Sequence, residues 1–294
     1  MKKLVLFYNP VSGHAAFKNK LDWMIEAFQR RGILLLLYRT KKEGNEEFAS
    51  FVRAVQPDGI LAAGGDGTVH ECVNLMVRHG LNIPIGIIGS GTSNDFATYL
   101  KINEDMERYF ACIADGKTKR MDLGRVGETY FINVASAGMM TGIAHEVPSR
   151  LKNALGKFAY YLRGIGELPK MRAMQFHVKA DGREYDFDGY LFVIVNSATV
   201  ASLHDVAPCA AIDDGMLDFL AIRKGNVPQL MRVCTELLSG HSVLENPHIL
   251  HIQASSFEVT SDAPLVSDLD GEAGPALPLK VETVPRAVQV FCFT

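Results

Sequence analysis

The residues best equipped for chemistry are acids that stand beside glycines. Asp66 lies within Gly64-Gly65-Asp66-Gly67-Thr68 and Asp95 within Gly91-Thr92-Ser93-Asn94-Asp95-Phe96. Others follow at Asp122, at Asp213-Asp214-Gly215 and at Asp268-Leu269-Asp270-Gly271-Glu272. Glycines leave backbone amides open to a bulky anion. A carboxylate in such a cradle repels phosphate unless a cation lies between them. The pattern therefore points to a nucleotide-phosphate site with a divalent metal. Phosphoryl transfer needs this kind of set: a loop that holds phosphates, acids that hold Mg²⁺, and one acid able to take a proton from the attacking hydroxyl.

Other chemistries find less support. Neither glycine-rich loop runs into Gly-Lys-Ser/Thr, so there is no Walker A motif. Gly65-Asp66-Gly67 lacks the third glycine of a dinucleotide fingerprint. No H-E-x-x-H pair and no G-x-S-x-G elbow occurs. The net charge of −3 gives no global attraction to nucleic acid, and none is expected as a partner. The five cysteines are scattered without a C-x-x-C pair, which suits a reducing cytoplasm better than zinc or disulfides. No apolar run is long enough to cross a bilayer, and Asn9-Pro10 ends the first one too early for a signal peptide.

The elements that must position the acids can be read from periodicity. Lys3–Tyr8, Ile33–Tyr38, Gly59–Ala63 and Pro84–Ile88 are apolar runs expected as buried strands. Helices are expected from about Leu21 to Arg31 and from Glu46 to Val55. Thr68 and Glu71 have the spacing of a capping box, which predicts a helix starting at Thr68. This alternation argues for a parallel sheet in a doubly wound domain, where ligands bind past the strand C-termini. Asn9, Thr40, Asp66 and Asp95 all follow such ends. Beyond Gly116 the pattern changes to many short strand-like runs, among them Lys119–Val126, Thr129–Ala135, Tyr190–Asn196, Leu277–Thr283 and Ala287–Phe293, which suggest an antiparallel sheet or sandwich. A helix is expected over roughly 149–168. The expected fold is thus α/β followed by β, with an α/β nucleotide-binding domain over 1–127 and a β-rich domain over 128–294.

Five stretches occur in order: Gly64 to Thr68, Gly91 to Phe96, Phe131-Ile132-Asn133, Ala207-Pro208 to Asp214-Gly215, and Asp270-Gly271-Glu272. Together they resemble the diacylglycerol kinase catalytic-domain family, in its YegS/BmrU-like group of bacterial lipid kinases. The resemblance covers essentially the whole chain. It implies an N-terminal domain like those of NAD kinase and phosphofructokinase and a C-terminal β-sandwich whose last strand packs back on the first domain. It implies transfer of the ATP γ-phosphoryl to a lipid hydroxyl, foremost that of diacylglycerol. By motif, Asn9, Thr40, Gly64, Gly65, Asp66, Gly67, Thr68, Val69, His70 and Thr92 would contact ATP. Asp66 would hold phosphate-bound Mg²⁺ with Asp95 beside it, and Glu272 would be the general base, buried among other acids. Asp214 would ligate a structural Mg²⁺ with carbonyls near Ala211 and Met216. The alternatives are a NAD kinase and a non-catalytic nucleotide or lipid sensor on the same fold.

The chain departs from the family pattern twice. His70 replaces a usual Asn, and the segment Thr199-Val200-Ala201-Ser202-Leu203-His204-Asp205-Val206 carries side chains where the family is rich in glycine. Those side chains are expected to narrow or reshape the wall that meets the lipid. A lipid kinase without a membrane span must meet its substrate at a surface, so peripheral association with the inner membrane face is expected. From Arg150 to Arg183 there are eight basic and two acidic residues, interleaved with Phe158, Tyr160 and Tyr161, as in an interfacial helix. A homodimer is an assembly the resemblance leaves open.

Overall fold

The computed structural model describes residues 1–12, 16–42, 44–91, 94–138, 172–200, 203, 205–239 and 242–293. In chain order the elements are β1 (Lys2–Tyr8), α1 (Ala16–Gln29), β2 (Ile33–Arg39), α2 (Glu47–Val55), β3 (Gly59–Gly64), α3 (Asp66–Arg78), β4 (Ile85–Gly89), α4 (Asp95–Tyr99), α5 (Met106–Asp115), β5 (Thr118–Val126), β6 (Thr129–Phe131), β7 (Val134–Gly138), β8 (Met174–Ala180), β9 (Arg183–Val195), β10 (Leu217–Arg223), α6 (Val227–Leu238), β11 (Ile249–Ala254), β12 (Ser256–Ser261), β13 (Val266–Leu269), β14 (Glu272–Ala276) and β15 (Leu279–Phe291). They form two compact units, Met1–Leu123 with Pro285–Thr294, and Gly124–Val284. The helix expected over 149–168, and most of the basic stretch, lie outside the described residues. No described helix is long and apolar enough to cross a membrane.

In the first unit the order is β2-β1-β3-β4-β15, and β1 pairs in parallel with both β2 and β3. Leu4, Val5, Leu6 and Phe7 of the central strand are fully buried. Each such side chain contributes roughly 1.5–3 kcal/mol by leaving water. A strand buried on both faces shows no alternation, which is why the β1 run reads as continuously apolar. The end of β15 joins this sheet in parallel, with Val290 opposite Ile85. The buried Tyr109 hydroxyl donates to Phe291 O, and the fully buried Asp122 carboxylate accepts from Arg286 N at 2.6 Å.

The second unit is sheet-rich and sandwich-like. The second half of β9 lies between β7 and β10, while its first half pairs with β8. Phe176, Phe187, Phe192, Phe219 and Phe257 gather in one core. A second cluster, on the Val195 and Leu220 side chains, takes in Val206, Ala207 and Ala210 and Val233 of α6. Val200 and Leu203 also pack there. The described side chains that replace glycine in 199–206 are thus largely spent on packing this cluster.

Three expectations about elements are corrected. The helix after the glycine loop starts at Asp66, two residues before Thr68, with Gly65 as its cap residue and no side-chain cap bond. Glu71 instead accepts from Asn45 Nδ2 at 2.7 Å, so no capping box forms. The run Thr129–Ala135 is broken at Ile132-Asn133 into β6 and β7, because the Asp270 carboxylate takes the amides there. The two runs Leu277–Thr283 and Ala287–Phe293 are one strand, β15, with a left-handed residue at Arg286 (φ 52°) inside it.

Candidate active site

The C-terminal edge of the parallel sheet brings most of the expected residues of the first unit together. Asn9 follows β1: its N–H donates to Ala63 O at 3.0 Å and its Nδ2 to Thr68 Oγ1 at 3.4 Å. Thr40 follows β2, buried, with its N–H on Tyr8 O at 3.0 Å. The glycines there do less for a ligand than their openness suggests. A Cβ on Gly64 would meet the Thr68 side chain at 2.3 Å, so the missing atom makes room for Thr68. A Cβ on Gly91 would come within 2.5 Å of Gly65 Cα, so these two glycines let two loops touch backbone to backbone. Ser90 N donates to Gly64 O at 2.8 Å and continues that contact. Thr68, Val69 and His70 are buried in the first turns of α3, and Gly67 lies beside them in that helix. Thr92 lies outside the described residues.

Asp66 joins the two loops. Its Oδ2 accepts from Asn94 N and its Oδ1 from Asp95 N, both at 2.9 Å. Asp95 opens α4 and is buried. Asn94 has left-handed backbone (φ 51°), and its side chain bonds both Gly91 N and Gly91 O. These two amides fix the orientation of the Asp66 carboxylate between the loops. That is compatible with an oxygen-seeking cation.

In the second unit Glu272 is the first residue of β14. It stands just after a two-residue turn, Asp270-Gly271, with φ of 53° and 93°. Left-handed backbone at both positions is the turn that matches strand twist in a hairpin, and Asp-Gly is its signature. Leu269 pairs with Glu272 across it. Glu272 is exposed, which corrects the expectation of a buried base: β14 is an outer strand with most of its side chains in solvent. Asp270 anchors the turn. Its Oδ2 accepts from Ile132 N at 2.7 Å, and its Oδ1 from Asn133 N and Val134 N at 2.9 Å each. Behind it lies a buried polar group of Asn133, Asn196, Ser197 and Thr199; Asn133 was singled out only as part of a family stretch and Thr199 only as the start of a departure from it, while Asn196 and Ser197 were missed. For Asn196 and Ser197 the available signal was polar residues placed directly after an apolar strand run.

Asp214 lies in the exposed turn before β10. Its Oδ1 accepts from Met216 N at 2.9 Å and its Oδ2 from Gln253 Nε2 at 3.3 Å. Among the described residues no group of three or more His, Cys, Asp or Glu side chains forms a metal cage. A cation near Asp214 would rest on one carboxylate, on backbone oxygens such as those of Ala211 and Met216, and on water. Such an oxygen-only set suits Mg²⁺, which keeps several waters.

Comparison with known proteins agrees with the fold described above. The diacylglycerol kinase catalytic domain family matches residues 3–126, and the YegS C-terminal NAD kinase beta sandwich-like domain matches residues 133–292. A diacylglycerol kinase of Bacillus subtilis (strain 168) is 33% identical over 292 residues, covering 99% of this chain and 96% of its own. One from Staphylococcus haemolyticus (strain JCSC1435) is 32% identical over 287 residues, covering 97% and 86%. Two crystal structures from Bacillus anthracis str. Sterne, the second of a diacylglycerol kinase, superpose with TM-scores of 0.83 and 0.79. Each is 23% identical and covers 99% of this chain, with 95% and 97% of its own, and these establish the shared fold. The α/β unit, the sandwich-like unit and this similarity lead to one conclusion: the chain is a lipid kinase and belongs to the YegS-like diacylglycerol kinase family.

Proposed function

We propose that this enzyme transfers the γ-phosphoryl of ATP to the free hydroxyl of diacylglycerol, giving phosphatidic acid, with Mg²⁺ and at a membrane surface. The observation that carries the proposal is the similarity over 99% of the chain to a protein named diacylglycerol kinase. The residues fit the parts. Asn9, Thr40, Gly64, Gly65, Gly67, Thr68, Val69, His70 and Thr92 are assigned to the nucleotide. Asp66, oriented by the amides of Asn94 and Asp95, is the assigned ligand of the phosphate-bound cation. When bound, Mg²⁺ neutralises charge on the phosphate oxygens. Glu272 takes the proton of the acceptor hydroxyl. Its exposure on a short, anchored turn leaves it free to meet a substrate, as a general base must. Asp214 with the carbonyls of Ala211 and Met216 is assigned to a second, structural Mg²⁺.

The test is purified protein with Mg-ATP against a panel of diacylglycerol, a sphingoid base and phosphatidylglycerol. Diacylglycerol should be phosphorylated fastest, and failure on every lipid would sink the proposal. Glu272→Gln should abolish turnover while nucleotide binding, measured by calorimetry, persists. Loss of nucleotide binding would instead assign Glu272 to the cation or the fold.

A further inference from the structure

Phe131-Ile132-Asn133 helps mark the family but takes no part in the chemistry proposed above. Its geometry is specific. The Phe131 ring lies against Gly124, where a Cβ would come within 2.0 Å of it. Asn133 is buried, and each of its four polar atoms is bonded. Its N–H donates to Asp270 Oδ1 at 2.9 Å, and its carbonyl accepts from Asn196 N at 2.9 Å. Its Nδ2 donates to Thr199 O at 2.8 Å, and its Oδ1 accepts from the Ser197 hydroxyl. Asn196 Nδ2 adds a bond to Ile132 O at 2.9 Å. One residue thus ties three segments: it lies at the break between β6 and β7, its backbone N–H holds the turn that leads into Glu272, and its carbonyl and side chain hold the chain leaving β9 at 196–199. Thr199 also opens the segment in which this chain departs from its family.

We propose that Asn133 is a positioning residue for the transfer, holding the hairpin of Glu272 in fixed register with the 196–199 segment. The inference rests on the reading of Glu272 as the proton acceptor. Only Asp270 and Gly271 separate the anchored amides from Glu272, so a shift at the anchor reaches the carboxylate almost undamped. A displacement of about 1 Å in a reacting group can cost on the order of 100-fold in rate. Asparagine supplies the donor for Thr199 O and the acceptor for Ser197 from two separate atoms of one neutral side chain, which a hydroxyl would have to do with a single oxygen.

The test compares Asn133→Ala, Asn133→Asp and Ser197→Ala with the parent enzyme, using Mg-ATP and phosphatidylglycerol vesicles that carry diacylglycerol. Asn133→Ala should lower kcat by about 100-fold while KM for Mg-ATP stays within about twofold. Asn133→Asp keeps the acceptor for Ser197 and loses the donor to Thr199, so its kcat should fall between the two. Ser197→Ala should cost least. A merely structural residue would lower thermal stability and leave kcat of the folded fraction unchanged. Either Asn133 variant keeping kcat within about threefold would overturn the inference, and Asn133→Asp decides it if Asn133→Ala does not fold. Should Glu272→Gln retain turnover, the underlying reading fails. Should Glu272→Gln be inactive while the Asn133 variants turn over normally, only the positioning role fails.

Discussion

Among the described residues the second unit contains the same device twice. Asp181-Gly182 joins β8 to β9 and Asp270-Gly271 joins β13 to β14, each with two left-handed residues in a two-residue turn. In both, the turn aspartate donates its N–H to a neighbouring segment and takes that segment's amides with its carboxylate. Asp181 N bonds Ser256 O, and its carboxylate accepts from the N–H and hydroxyl of both Ser255 and Ser256 at 2.9–3.0 Å. Asp270 N bonds Val134 O, and its carboxylate accepts from three consecutive amides. The difference lies in what each turn is fastened to and which residue it delivers. Asp181 is fastened to an exposed turn and leads to Arg183. Asp270 is fastened to a buried polar group and leads to Glu272. A local geometry that elsewhere only closes a hairpin here also carries the carboxylate proposed as the base, so hairpin geometry alone does not mark a site.

Substitutions should separate the two turns. The largest effect is expected for Asp270→Ala, which leaves three backbone amides without their acceptor. It should destabilise the protein by about 3 kcal/mol and lower kcat on the order of 100-fold, read by denaturant unfolding and lipid phosphorylation. Equal kcat would show that the turn does not position Glu272. Asp181→Ala should cost about 1 kcal/mol or less, because solvent screens its exposed carboxylate, and should leave kcat unchanged. A tenfold loss of activity would break the contrast.

Asp181 should also reveal itself in pH dependence. Partial burial pushes its carboxyl up, but the bonds from Ser255 and Ser256 outweigh this and hold it below the usual range. Its folded pKa is depressed, so its stabilisation is present above the unfolded value of about 4 and fades as pH falls through the folded value. The stability gap between parent and Asp181→Asn should therefore be full at neutral pH and close in acid. The smallest effect belongs to the same hairpin. His177 Nδ1 bonds Asp186 Oδ1 at 2.7 Å, and this hydrogen bond raises the exposed His177 pKa. Asp186→Asn should return the imidazole pKa, followed by NMR, toward its ordinary value with no measurable change in Tm. Any stabilisation from the pair would be present below about pH 6.5 and lost as pH rises through the raised value.

How much was legible in the sequence tracks burial. Strands β1 and β3 of the first unit are buried on both faces, so they stood out as unbroken apolar runs. The acids past their ends followed from the alternation of strand and helix, and Asp66 and Asp95 do meet. The hairpin of β13 and β14 was invisible as structure. Four of the five residues of β14 are exposed and one is proline, so no apolar alternation announced it, although Asp270-Gly271 was itself a turn signal. The break at Ile132-Asn133 was unreadable for another reason. It is imposed by a carboxylate 138 residues away from Ile132, and no local pattern encodes that. The glycines of the loop misled in a third way, since local sequence cannot say whether a missing side chain makes room for a ligand or for Thr68.

The return of residues 285–293 to the first unit has a consequence for biosynthesis. Val290 pairs with Ile85, and Phe291 O receives the Tyr109 hydroxyl, so the sheet of the first unit is incomplete until this stretch has been translated. These contacts of the first unit therefore form only after the second unit has emerged from the ribosome. During that interval the β4 edge stands unpaired, and a folding helper that shields an open sheet edge would be most useful there.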